Sequence, residues 1–376
     1  MVNQTMRLGR VFGLEISFHW SLILIYFLIA WTMATTVLPA AAPGSTTLAY
    51  WISGLAGSAV FYLCLLAHEL SHALVARGKG VRVAGITLWL FGGVTQLDGD
   101  PPSAASQALI TVVGPLTSLV LGGVGFGLVA GLSALGAPAL VTNLVTWLAI
   151  LNLILGVFNL VPAFPLDGGR LLGAAIWGLT GSKRRGIRGA VRVGRVFAGL
   201  VILGGLLEAV SGDLLSGVWL AFIGMFLFTA GGAEERQSEV LSALARVPVS
   251  AAMVGPVPSV PDWLTVEQLL GGAATHRFAI YHLHDPNGQP TGFVRLADLP
   301  APGLAHNGER LRDFALPYAA FAVAGPGEDL DSVIRRAGAS LDRGLLVVDA
   351  GQLVGVLSTG DIARAAAFRS AARQPL

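Results

Sequence analysis

Residues 51–77 read WISGLAGSAVFYLCLLAHELSHALVAR, and the reading of this stretch decides the reading of the whole chain. From Trp51 to Leu66 the run is apolar. With the motif that follows, it is long enough to cross a bilayer, which takes roughly 20 residues of helix. Near its end stand His68, Glu69 and His72, in the pattern His-Glu-x-x-His. Two imidazoles four positions apart share one helical face and can hold a zinc ion between them. The intervening glutamate can take a proton from a metal-activated water. Ionisable side chains at membrane depth are costly and therefore mark functional candidates. The pattern predicts zinc hydrolase chemistry inside a membrane.

Composition agrees with a membrane setting. The chain of 376 residues is 54% hydrophobic and only 12% charged, values of a polytopic membrane protein rather than a globular one. Residues 1–233 carry 12 Lys/Arg against 7 Asp/Glu, and residues 234–376 carry 12 against 15, so a basic membrane part precedes an acidic tail. No Lys/Arg run suggests nucleic-acid binding. Cys64 is the single cysteine, which excludes an intrachain disulfide and a cysteine zinc cluster. Residues 1–17 lack a signal-peptide pattern, so the first hydrophobic span is expected to be retained.

Six spans can be read, at roughly 17–39, 51–76, 104–134, 139–162, 191–211 and 214–231. With six spans, all 12 basic residues of the membrane part fall on one side, and the opposite loops near 40–50, 135–138 and 212–213 contain none. The bias of Lys and Arg toward the cytoplasm predicts a multi-pass cell-membrane protein with both termini inside. His68 precedes Arg77 by nine residues, about 13 Å of helix. A metal there would be buried, on the cytoplasmic side of the bilayer centre.

Two histidines do not complete a catalytic zinc site, which needs a third protein ligand and an open position for water. Asp167 is the best candidate, in Asn159-Leu160-Val161-Pro162-Ala163-Phe164-Pro165-Leu166-Asp167-Gly168-Gly169. Pro162 and Pro165 break the fourth span, and Gly168-Gly169 allows a bend or a close approach. Irregular chain at membrane depth is tolerated only where it is buried in protein or lines a cavity. Asp98 and Asp100, in a glycine-rich stretch, are rivals.

The pairing of His-Glu-x-x-His with Asn-x-x-Pro-x-x-Pro-Leu-Asp-Gly-Gly resembles the site-2 protease family of intramembrane zinc metalloproteases. The resemblance implies one zinc per chain, with His68, His72 and Asp167 as ligands, Glu69 as general base and Asn159 near the substrate carbonyl. It also implies that Phe91-Gly92-Gly93-Val94-Thr95-Gln96-Leu97 belongs to a membrane-associated β element. A strand edge at Gly92 and Gly93 would pair with an unwound substrate segment. Gly114-Pro115-Leu116-Thr117-Ser118 resembles the family's small-residue motif, expected close to the site.

Beyond about residue 245 the composition becomes soluble. Phe278–Leu283, a turn at Asp285–Gly288 and Thr291–Val294 read as strand, turn, strand, and Gly344–Val348 with Leu353–Leu357 repeats the unit. The repeat resembles a pair of CBS domains. That resemblance implies an adenine nucleotide at Ser358, Thr359 and Asp361 of the second copy and a homodimer through the pair. In the first copy Asp298 is kept, but Arg295-Leu296 replaces the hydroxyl residues. His276, His282, His284 and His306 show no metal-ligand spacing.

The expected architecture is therefore a polytopic α-helical membrane protein of about six transmembrane helices with a short β element, followed by a cytoplasmic α/β CBS pair. Its segments are a metalloprotease domain at 1–233, a linker at 234–245, and CBS domains at 246–305 and 306–376. The expected activity is cleavage of membrane-spanning protein substrates under control of the pair. The alternative is a transporter or channel gated by CBS domains, which would favour broken helices in two related halves; the sequence has one clear break.

Overall fold

The computed structural model of the chain describes residues 5–89, 92–271, 278–300, 308–337, 341 and 343–371. These form two compact units that divide at Ser238/Glu239. Phe91, His276 and His306 lie outside the described residues.

In the first unit, six helical segments are long and apolar enough to cross a membrane. The first joins α1 (Ser21–Thr32), a π-helical turn (Met33–Val37) and α2 (Leu38–Ala41). The others belong to α3 (Thr47–Gly78), α4 (Ala104–Ala134), α5 (Ala139–Asn159), α7 (Lys183–Ser211) and α8 (Leu214–Leu244). Between α5 and α7 lies α6 (Asp167–Thr180), whose 14 residues are too few to span. Large apolar side chains such as Leu63, Val120 and Leu200 face outward, as lipid requires. The buried faces are built from small residues: Gly54, Gly57 and Ser58 on α3, and Gly114, Ser118, Gly122 and Gly125 on α4. A Cβ at Gly57 would come within 2.6 Å of Leu144, so the small side chain lets α3 and α5 meet.

A four-stranded sheet accompanies these helices, in the order β1 (Thr5–Val11), β2 (Leu14–His19), β3 (Arg82–Trp89) and β4 (Gly92–Asp98). β2 and β3 are parallel, and both outer pairs are antiparallel. The first span therefore starts at Ser21 rather than near residue 17, because Leu14 and Ile16 alternate as strand residues and bury against Leu65, Ile86 and Leu88. The β element expected at 91–97 is β4, an outer strand of this sheet. Downstream, α7 begins eight residues before the expected span. α8 continues through most of the segment 234–245 read as a linker. Ion pairing supports that extension: Glu235 lies 2.8 Å from Arg195.

The second unit contains two copies of one β-α-β-β plan. The first copy comprises β5 (Ser259–Pro261), α9 (Val266–Gly271), β6 (Ile280–His284) and β7 (Pro290–Arg295). The second comprises β8 (Ala322–Ala324), α10 (Leu330–Ala337), β9 (Leu345–Asp349) and β10 (Gln352–Leu357), followed by α11 (Thr359–Ala371). In each copy a parallel pair precedes an antiparallel hairpin, and each hairpin carries a register shift. Ala350 and Gly351 both have positive φ, as a two-residue hairpin turn that follows the strand twist requires. The two copies are the repeated unit that the sequence predicts.

Candidate metal centre

His68 and His72 project from one face of α3, four residues apart, and Asp167 opens α6. Their ligand atoms converge: Nε2 of His68 lies 3.2 Å from Nε2 of His72, and Oδ2 of Asp167 lies 3.3 Å and 3.2 Å from the two nitrogens. Donors about 2.0–2.1 Å from a tetrahedral zinc stand roughly 3.3 Å apart, so this donor set fits that ion. Among the described residues, these three form the one cluster of at least three His, Cys, Asp or Glu side chains able to hold a metal.

Hydrogen bonds behind the rings orient them. Nδ1 of His72 donates to the carbonyl of Ile110 at 2.6 Å, which leaves Nε2 of the neutral ring with its lone pair toward the cluster. Nδ1 of His68 lies 2.8 Å from Oγ of the buried Ser118. Such outer partners fix the tautomer and raise ligand basicity. Gly114, between Ile110 and Ser118 on the same face of α4, leaves the room: a Cβ there would lie 2.2 Å from Nε2 of His72 and 2.7 Å from Nε2 of His68. The stretch Gly114–Ser118 thus sits against the site as expected. The Ile110 carbonyl was missed, although its place one turn before Gly114 is the signal that could have found it.

The proline-containing break delivers the carboxylate. Helix α5 ends at Asn159, and the chain turns through 160–166 before α6 begins. A Cβ at Gly168 would lie 2.2 Å from the carbonyl of Val161, and one at Gly169 2.7 Å from Ala163, so both glycines serve close approach. Asp100 is not part of the cluster; it lies 2.5 Å from Nζ of Lys183, and the side chain of Asp98 lies outside the described residues.

Glu69 is buried beside the cluster but outside it. Its Oε2 accepts a 2.8 Å hydrogen bond from the Thr95 hydroxyl, and its Cγ lies where a Cβ on Gly93 would come within 2.3 Å. Gly92 precedes it at the head of β4, with φ of 134°. Asn159 is half-buried in the last turn of α5, and its Nδ2 donates to the carbonyl of Leu155 at 2.9 Å rather than to the cluster.

In the second unit, Ser358, Thr359 and Asp361 line a cavity of about 520 Å³ together with Arg295, Arg343 and Arg364. Asp361 is buried, and its Oδ2 accepts from the amide of Ser358 at 2.8 Å and its hydroxyl at 2.5 Å; Oδ1 pairs with Arg364. In the first copy Arg295 pairs with Asp298, with Nε to Oδ2 at 2.6 Å. His282 meets Tyr318 at 2.6 Å, and burial together with neighbouring His284 holds its imidazole below the ordinary pKa.

The sequence profile of peptidase family M50 matches residues 56–137 and 133–201. The Mycobacterium tuberculosis protein Rip3, whose name assigns it provisionally to the zinc metalloproteases, is 39% identical over 95% of this chain and 91% of its own length. The zinc metalloprotease MJ0392 of Methanocaldococcus jannaschii is 28% identical over 97% of this chain and 96% of that protein. Among solved structures, the site-2 protease from the same archaeon is 27% identical, with a TM-score of 0.41, over 61% of this chain and 95% of that one. CBSX2 in complex with AMP is 24% identical, with a TM-score of 0.26, over 33% of this chain and 98% of that one. The chain belongs to peptidase family M50, the site-2 protease family of zinc metalloproteases.

Proposed function

We propose that this zinc metalloprotease cuts peptide bonds within or near the membrane-spanning segments of other proteins. The observation that carries the reading is the convergence, at 3.2–3.3 Å, of two ligand atoms from an apolar, membrane-length helix with a third from Asp167 at the start of α6. His68, His72 and Asp167 hold the metal, and Gly114 keeps a Cβ out of its place. Zinc, when bound, supplies a Lewis acid that polarises the scissile carbonyl and lowers the pKa of water. Glu69 takes the proton of the attacking water and passes it to the leaving amine, so the peptide gains one water across the broken bond. Asn159 retains a second amide hydrogen on Nδ2 beyond the one used by Leu155, and that hydrogen steadies the developing oxyanion. A helical substrate hides its peptide bonds and must unwind. The outer strand β4 offers backbone groups at Gly92 and Gly93 for pairing with the unwound segment.

The concentration of Lys and Arg on one set of loops supports cytoplasmic termini, with the tail inside. The tail regulates the protease as a CBS pair and joins two copies into a homodimer. Its cavity takes an adenine nucleotide: Thr359 and three arginines offer donors for phosphate, and Asp361 accepts from the ribose after Arg364 is displaced. Trapping of single-span membrane proteins on a Glu69→Gln variant, followed by cleavage of the trapped proteins with the unaltered enzyme, tests the substrate class. Cleavage confined to soluble, unfolded proteins would reject it. Cysteines placed at Ser45 and Ser182 in a Cys64→Ser background should label from opposite sides; labelling from one side would reject the orientation.

A further inference from the structure

The outer strand β4 and the proposed general base touch, a contact that neither metal binding nor strand pairing with substrate requires. On β4, residues 93, 95 and 97 share one face. Leu97 of that face packs into the cluster of Ala76, Val81 and Ile110. Gly93 faces the Glu69 side chain so closely that an added Cβ would lie 2.8 Å from its Cδ and 3.0 Å from Oε1. Thr95 places its hydroxyl 2.8 Å from Oε2 and 3.2 Å from the backbone carbonyl of the same glutamate. The carboxylate is therefore laid along the strand, with a wall on one side and a hydroxyl donor at one oxygen. Among the described residues Oε1 receives no hydrogen bond, so the two oxygens are not equivalent. One is anchored, and the other remains able to accept a proton.

We propose that Thr95 is a positioning residue for the hydrolytic reaction: its hydroxyl fixes Oε2 of Glu69 and presents Oε1 as the basic atom. The assignment rests on Glu69 as base and on β4 as the strand that receives substrate. It adds a consequence, because the strand that pairs with substrate is also the strand that orients the base. A substrate seated out of register on β4 strains the Thr95–Glu69 contact and is cut slowly even when bound. The side chains of Val94 and Gln96 are exposed, on the opposite face of the strand.

The test uses the full chain in lipid nanodiscs and a single-span fusion reporter with a fluorescent protein at each end. Thr95→Val removes the hydroxyl at nearly constant volume, whereas Thr95→Ser keeps it. Thr95→Val should lower kcat by about 10- to 100-fold, the range for a displaced or misaligned catalytic group, and leave KM within about twofold. Thr95→Ser should recover kcat to within about threefold of the unaltered enzyme, and both variants should retain one zinc per chain. An unchanged kcat in Thr95→Val would overturn the inference. So would a Thr95→Ser variant as slow as Thr95→Val, since the strand rather than the hydroxyl would then matter, or loss of zinc from Thr95→Val. A rise in KM at constant kcat would transfer Thr95 to substrate binding and so refute a positioning role. Glu69→Gln separates the two levels: full activity in that variant would refute the base itself, and Thr95 with it.

Discussion

At the metal centre three ligand atoms face one another; in the tail cavity a single carboxylate faces donors. Nε2 of His68, Nε2 of His72 and Oδ2 of Asp167 stand 3.2–3.3 Å apart, and the hydrogen bond from His72 Nδ1 to Ile110 turns that ring's bare nitrogen toward the others. Three polar groups brought together in this way must share a proton or a cation, because burying polar groups unpaired costs free energy. A cation at their centre resolves that cost. Asp361 differs. Ser358 and Arg364 already satisfy both of its oxygens, so the cavity is stable without a ligand. The contrast separates a cluster whose atoms leave room for a shared cation from a carboxylate that the proposed nucleotide would have to take from its protein partners.

The largest effect expected is on chemistry without loss of metal. Glu69→Gln should lower cleavage by about 10²- to 10⁴-fold, the contribution of general base catalysis, while zinc content stays at one per chain. Single-turnover cleavage with parallel metal analysis checks it. Concurrent loss of zinc would make Glu69 part of the ligand set and blur the boundary between base and cluster.

A smaller effect is expected one step out from the metal. Ser118→Ala removes the partner of His68 Nδ1 and should weaken zinc binding by about 10- to 100-fold, as loss of outer-shell partners does. Competition with a chelator of known affinity measures it. Unchanged affinity would mean that helix packing alone holds the His68 ring.

The proposed nucleotide site should respond to a similar degree. Asp361→Ala should reduce affinity for ATP, ADP or AMP by about tenfold to a hundredfold, corresponding to roughly 1.5–3 kcal/mol for a hydrogen bond to a charged group. It should leave zinc content unaltered. Calorimetry on the full chain decides the point, and absence of heat with all three nucleotides would leave the tail without the proposed ligand.

What could be read from the sequence follows the same division between strong and weak physical demands. A helix that crosses lipid must be long and apolar, with its backbone satisfied internally, so the six spans stand out in the hydropathy. The chemistry of zinc restricts ligands to a few residue types at few spacings, which made His68 and His72 legible as candidates, and the proline break drew attention to Asp167; the three side chains converge. The amino-terminal strands were not legible: β1 is short and largely exposed, and β2 owes its place to pairing with β3, about 70 residues away. The contacts of Ser118, Ile110 and Thr95 were hidden for a related reason. Each joins one element to α3 across 26–50 residues, and single-sequence periodicity carries no information about which faces meet. The tail repeat was legible as two hairpins because turn residues and alternation are local, whereas the pairing of Asp361 with Arg364 depends on side-chain conformation.

His68, His72 and Asp167 binding one zinc ion together is the claim on which the rest depends. Zinc content per chain, measured on detergent-purified full-length protein and on Asp167→Ala prepared in parallel, tests it most directly. The unaltered protein should hold about one zinc per chain and Asp167→Ala little or none. Full occupancy in Asp167→Ala would contradict the claim.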